Sequence, residues 1–294
     1  MLQVFGVAGY SFMRRLPKYY GRYFLCSKQM HALTIVGHIT AFRDYLFGTK
    51  KASKNENGSQ LEKTDKVIAE ADLLYLEGKY YEAYQLLNTV FDRLNSSVLW
   101  RISRVLFSIA SNETLSYGER KHLIFEAYHL AKEAEEKTKT NFEVYKWLAI
   151  LLKAKIDYAT THEKLKNIPN IKRYLMAALE LNSRDITVLY LLGHWHYELA
   201  SLTWFQKKLV TFFYSVIIPE ANFQEAYEYF FKIETLKPNY FVTNTWMLAK
   251  SCYRIQNYEE ANYYFDIVDV LSYRTTFERR CMNKIKKNYK NRAV

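Results

Sequence analysis

Cations and aromatic rings recur in this chain at matched spacings, as in Trp100, Arg104 and Phe107 or Trp246, Lys250 and Tyr253. Side chains of this kind recognise rather than react: guanidinium and ammonium groups pair with carboxylates, and flat rings cover an extended chain. Residues that would perform catalysis are poorly arranged by comparison. His194 and His196 stand two apart, which points them in different directions on a helix and suits a core or groove position better than a metal. His122 and His129 lie seven apart on one face, but no Cys or acid completes a zinc set around them. There is no G-x-x-x-x-G-K-[ST] phosphate loop, no G-x-S-x-G and no H-E-x-x-H. The cysteines, Cys26, Cys252 and Cys281, are odd in number and widely spaced, so a reducing compartment is expected and no disulfide framework. Cys252 reads as a small core hydrophobe. Neither an enzyme nor a cofactor is expected.

The recognition sets need elements to hold them, and a small residue at fixed spacing supplies the register. Ala249 and Ala261 are twelve apart, with Val268 seven further on; Ala71, Ala83 and Val90 repeat the pattern. In each case two helices flank a tight turn, at Glu77-Gly78-Lys79 and at Gln256-Asn257. Small side chains let antiparallel helices approach closely, which is the tetratricopeptide pattern. Three further pairs follow the same rule: Ser103 with Ala127 and Ala134, Ala149 with Ile171 and Ala178, and Gly193 with Ala226 and Ile233. The last two positions are always seven apart, two turns on one helix face. The first two are 24, 22 and 33 apart in these middle pairs, so their loops are expected to carry insertions. Pro169 and Pro219 are expected to precede second helices, in the turn that tolerates proline, and Pro238 to close the fourth pair. The fold class that follows is all-α, a tetratricopeptide-like solenoid of about five helix pairs, and such stacks generally bind another macromolecule.

In a solenoid of this kind the first helices line the concave face. Counting from the small residue gives an inward-facing groove of Trp100, Arg104 and Phe107; Lys146, Ile150 and Lys153; Tyr190, His194 and Tyr197; and Trp246, Lys250 and Tyr253. This set is basic and aromatic and suits an extended acidic peptide. A second candidate contact is Trp204, Phe205, Lys207 and Lys208, at the mouth of the apolar run Leu209–Ile218. That run is either a helix packed under the fourth repeat or a contact with a membrane surface or anionic phospholipid.

Net charge is +12, and its placement is uneven. Residues 1–43 hold six Lys or Arg and no acid, and residues 273–294 hold eight against Glu278 alone, so the body between them is close to neutral. The C-terminal cluster includes Arg279, Arg280, Lys286 and Lys287, able to attract an acidic protein surface, anionic lipid or RNA at long range. Nucleic acid is not expected as the main partner, since no reader fold is visible. Residues 1–49 form a basic arm whose composition suits either an organelle presequence or a membrane-proximal segment. Its apolar stretch Met30–Phe42, broken by His31 and His38, is shorter than the ~20 residues a membrane helix needs. Residues 50–66 read as a polar linker, 67–272 as the repeat domain and 273–294 as a basic tail.

The insertions carry a family resemblance. Gly193-His-Trp-His-Tyr-Glu-Leu-Ala leading into Trp204-Phe-Gln-Lys-Lys, then Asn222-Phe-Gln-Glu-Ala, resembles the fourth repeat of the regulator of microtubule dynamics family. There a Gly-x-Trp helix likewise leads into Trp-aromatic-Gln and two basic residues. Ser97–Arg104, Tyr145–Ala149 and Ile171–Asn182 are similar to other segments of that family, and the resemblance covers roughly residues 66–272. One departure is Asn182-Ser183, where the family commonly has Asn-Pro. The resemblance implies a protein of microtubules and spindle poles, with some members at mitochondria. It also implies a second function class, since one member is tied to lipid binding at contacts between endoplasmic reticulum and mitochondria. A closed apolar cavity near residues 204–218 would favour lipid and an open basic groove an acidic peptide. A scaffold for an unrelated client protein is the third reading.

Overall fold

Helix pairs follow one another along the chain, and each packs chiefly on its neighbours in sequence. The computed structural model describes residues 57–92, 95–239 and 242–270. Within them run α1 (Asn57–Leu76), α2 (Tyr80–Asn88), α3 (Ser96–Ala110), α4 (Tyr117–Lys137), α5 (Phe142–Ile156) and α6 (Thr161–Leu181). The remaining helices are α7 (Ile186–Ala200), α8 (Trp204–Tyr214), α9 (Phe223–Leu236), α10 (Val242–Arg254) and α11 (Tyr258–Val270). The described residues contain no strand. The pairs are α1–α2, α3–α4, α5–α6, α7–α9 and α10–α11, and each second helix also packs on the next first helix. First helices touch directly between α3 and α5 and between α7 and α10. The fold is all-α and tetratricopeptide-like.

The small-residue register is what closes the pairs. Ala71, Ala83, Ser103, Ala127, Ala134, Ala149, Ala178, Ala226, Ala249 and Ala261 are all fully or almost fully buried. Gly193 shows the reason most directly: a Cβ built there would lie 2.6 Å from Cε1 of Phe230, so the phenyl ring of α9 packs against the bare backbone of α7. Close approach of this kind excludes a methyl group.

Helix starts are written locally. Ser116 with Glu119, Thr160 with Glu163 and Thr203 with Gln206 form reciprocal capping boxes at α4, α6 and α8. Asn95, Asn141, Asp185 and Asn222 accept backbone N–H groups at the starts of α3, α5, α7 and α9.

Several expectations are corrected. Helix α1 begins at Asn57, inside the stretch read as linker, because Glu62, Lys63 and Lys66 are good helix formers even though no apolar face marks them. The insertions of the second and third pairs are not loops: α4 and α6 each run for 21 residues, and the added length is helix. Pro169 accordingly lies inside α6 rather than ahead of it. The indole Nε1–H of Trp195 donates to the adjacent Ile168 carbonyl at 3.1 Å and anchors the helix there. In the fourth pair the insertion is a helix of its own, α8. Val90 falls beyond the end of α2, so only the other four pairs keep both second-helix positions within one helix. Pro219 and Pro238 do sit ahead of α9 and just after it.

Candidate functional site

The row of first helices holds the groove set, and its members have very different surroundings. Trp100, Phe107, Ile150, Tyr190, Tyr197 and Trp246 are buried and belong to the core. Phe107 meets Trp147 edge-on at 5.7 Å, and Trp246 meets Phe265 at 5.2 Å. Two of the cations are engaged within the fold. The Arg104 guanidinium pairs with Asp72 of α1 and lies 3.9 Å over the Tyr75 ring, while Arg101 pairs with the same carboxylate at 2.9 Å. The Lys146 ammonium sits 2.9 Å from Glu143 and 3.4 Å from Asp185, the N-cap of α7. Asp72 and Asp185 face these cations from neighbouring pairs, a long-range arrangement that spacing within one helix cannot reveal. Arg104 and Lys146 are therefore struts between repeats.

Three further members of the groove set, Lys153, His194 and Lys250, come together with Glu198 from α5, α7 and α10. Lys153 and Lys250 each act electrostatically on His194 and on Glu198, and Asp157 and Lys164 act on Lys153. Burial pulls the Lys153 ammonium down to about 7, with Asp157 and Glu198 holding it up and Lys164 adding to the depression. Burial likewise lowers His194 to about 3, helped by Lys250 and Lys153, so its imidazole is neutral. Glu198 is raised by burial against the opposing pull of Lys250 and Lys153. The His194 ring sits 4.5 Å from Tyr190 and 5.7 Å from Phe230, and its Nε2 has no hydrogen-bond partner. Lys250 reaches over the Tyr197 ring at 4.7 Å, and Tyr253 is exposed beside Tyr258. Sequence reasoning missed Glu198 and Asp157. Glu198 lies one residue past Tyr197, and a wider window of inward positions on α7 would have caught it.

The other histidines do not join this site. His196 is buried with Nδ1 2.7 Å from Glu225 Oε2, on the side of α7 that meets α9, and His122 and His129 are exposed beside Glu126 and Glu133. Among the described residues no group of three His, Cys, Asp or Glu is placed to hold a metal ion. Cys252 is buried, and its thiol is pushed up to about 12 by desolvation and by Glu260. Trp204, Phe205 and Lys208 are exposed on α8, and Lys207 is half-buried. Arg279, Arg280, Lys286 and Lys287 lie outside the described residues.

Stacked helix pairs closed by small residues, with an inner row of rings and ionisable groups, define a helical-repeat scaffold of the tetratricopeptide class. Solved structures with a similar chain path include a MamA variant (18% identity, TM-score 0.47, 74% of this chain and 100% of that one). Another is YrrB, a tetratricopeptide protein titled as having an unusual peptide-binding site (15% identity, TM-score 0.44, 74% and 90%). Within the class, the model for regulator of microtubule dynamics protein 1-3 matches residues 67–292, and the chain belongs to that family. Regulator of microtubule dynamics protein 1 of Mus musculus is 33% identical over 195 residues, covering 66% of this chain and 64% of the relative. Regulator of microtubule dynamics protein 3 of Xenopus laevis is 29% identical over 175 residues, covering 59% and 37%. The match thus takes in less than two thirds of either relative's length.

Proposed function

We propose that the chain is a non-enzymatic, tetratricopeptide-like adaptor that binds microtubules by taking the acidic tail of tubulin along its row of first helices. The observation that carries this reading is the cluster of Lys153, Lys250, His194 and Glu198, to which three separate helix pairs contribute. Counted with Lys164 and Asp157, the cluster sets three lysines against two acids. An incoming carboxylate tips a half-protonated Lys153 fully to the ammonium form, so binding takes up a proton. The names of the relatives, regulators of microtubule dynamics, support the partner. A role in spindle and spindle-pole organisation, and an association with mitochondria, accompany the family resemblance and are part of the same proposal.

The competing reading, a lipid-binding or lipid-transferring module at organelle contacts, called for a closed apolar cavity near residues 204–218. There Trp204, Phe205, Phe212, Phe213 and Ile217 turn towards solvent and do not line a closed cavity.

The test is co-sedimentation of the full chain with microtubules, intact and with tubulin tails removed by proteolysis, across a salt series. Tail-dependent pelleting that weakens with salt is expected, as is tighter binding at pH 6.5 than at pH 8 because Lys153 titrates near 7. Lys250→Glu and Lys153→Met each reduce it. Equal pelleting with and without tails overturns the proposal, as does binding indifferent to both substitutions.

A further inference from the structure

Helix α8 is amphipathic in the reverse sense. Towards the repeats it turns Val210, which is buried, with half-buried Gln206, Lys207 and Tyr214. Towards solvent it turns Trp204, Phe205, Phe212 and Phe213, each 56–78% exposed, and the left-handed Ser215 that ends the helix leads on to Ile217, 80% exposed. A helix that served only to pack on the repeats would show the opposite distribution. No other helix packs closely along α8; it is tethered through Val210 and through Val216 and Ile218 just beyond it. Contiguous exposed rings of this extent mark a contact surface.

We propose that this outward face of α8 docks in the interfacial layer of an anionic membrane, with the helix lying in the membrane plane. The chemistry on the face selects that occupant. Lys208 stands among the rings, its Nζ 5.7 Å from the Trp204 centroid, where its stem can lie along apolar surface while the ammonium reaches lipid phosphate. Between Glu198 and Glu220 the chain has Lys207 and Lys208 and no acid, a local charge balance that suits an anionic surface. A second copy of the chain fits less well, because a two-fold contact would bury two Lys208 ammonium groups in one apolar patch with no acid to pair them. Among the described residues no helix is long and apolar enough to cross a membrane, so α8 docks on the surface. The inference is independent of the tubulin-tail reading, which uses no residue of α8.

Trp204 supplies the test. Of five tryptophans, Trp100, Trp147, Trp195 and Trp246 are buried in the repeats, and Trp204 alone stands exposed. The full chain is mixed with phosphatidylcholine vesicles, with or without phosphatidylserine, carrying brominated acyl chains. The expected result is pelleting that requires phosphatidylserine, with bromine quenching that disappears in Trp204→Phe. The double variant Phe212→Ser, Phe213→Ser should lose about tenfold or more in partitioning, with its circular dichroism and microtubule pelleting unchanged. Pelleting without quenching of Trp204 would assign attachment to the basic ends and overturn the proposal. So would failure to pellet, an unaffected double variant, or a lipid-free dimer that Phe212→Ser dissolves.

Discussion

At the residue scale, the inner cluster stores charge in a place that disfavours it. His194 is held near 3 by burial first and by the two lysines second, against an unperturbed value of 6.5. Between those values the unfolded chain binds a proton that the folded chain refuses, so stability falls as pH is lowered from about 7 towards 3. His194→Leu removes that linkage while keeping an apolar side chain between Tyr190 and Phe230. The variant loses less stability than the parent between pH 7 and pH 5, by about 2 kcal/mol, in urea unfolding at each pH. Equal losses would show that His194 is not desolvated. Gly193, one residue earlier, argues the same crowding sterically. Gly193→Ala should cost about 1–3 kcal/mol of thermal stability, and Phe230→Leu in the same chain should recover part of it by clearing the Cβ position. The histidine pair was legible in sequence as a core or groove feature. Lys153 and Lys250 were legible with it as groove positions, but their meeting with Glu198 was not, because that depends on three helices from different pairs being stacked.

At the element scale, the first and last pairs turn in the same way. Gly78 follows Ala71 by seven residues and Gln256 follows Ala249 by seven, and both are left-handed, with φ of 79° and 66°. The hydrogen bonds also correspond: Gly78 N–H donates to Tyr75 O and Lys79 N–H to Leu74 O, while Gln256 N–H donates to Tyr253 O and Asn257 N–H to Cys252 O. This is a Schellman turn in both places, and only one has the glycine that suits it. Gln256→Gly should therefore raise the denaturation midpoint by an amount worth about 0.5–1 kcal/mol, and Gly78→Ala should lower stability by about 1 kcal/mol or more. If Gln256→Gly destabilises, the glutamine side chain holds something the turn needs. These turns were readable because Ala71 and Ala249 set a twelve-residue register around them. The middle pairs were readable as pairs but not in detail. A gap of 24 or 22 residues between small positions does not say whether the surplus is loop or helix, and in α4 and α6 the capping boxes Ser116–Glu119 and Thr160–Glu163 make it helix. Trp204-Phe-Gln-Lys-Lys pointed to the site of an insertion. That its rings face outward depends on where α8 lands against the repeats, which only the packed chain defines.

At the scale of the whole molecule, cohesion is local, as it must be in a stack where each pair touches only its neighbours. Two of the cations that the sequence places in the groove, Arg104 and Lys146, serve that cohesion. Asp72 of α1 receives both Arg101 and Arg104 of α3, and Lys146 of α5 reaches Asp185 at the start of α7, so pair one is tied to pair two and pair three to pair four. Tyr227 of α9 ties pair four to pair five by donating to Glu260 of α11 at 3.1 Å. Removing Asp72 leaves two guanidinium groups half-buried without their carboxylate, at a cost of about 1–3 kcal/mol after allowing for the exposure of the site. In a stack whose pairs pack on their neighbours this loss stays where it is made. Hydrogen exchange on Asp72→Asn should accordingly show faster exchange in α1 and α2 alone, with α5 to α11 as protected as in the parent chain. Tubulin-tail binding should survive the substitution, because Lys153 and Lys250 belong to pairs that still stand. Exchange rising together in all five pairs would mean that the stack folds as one cooperative unit, and Arg104 would then bear on the inner cluster through the whole length of the solenoid.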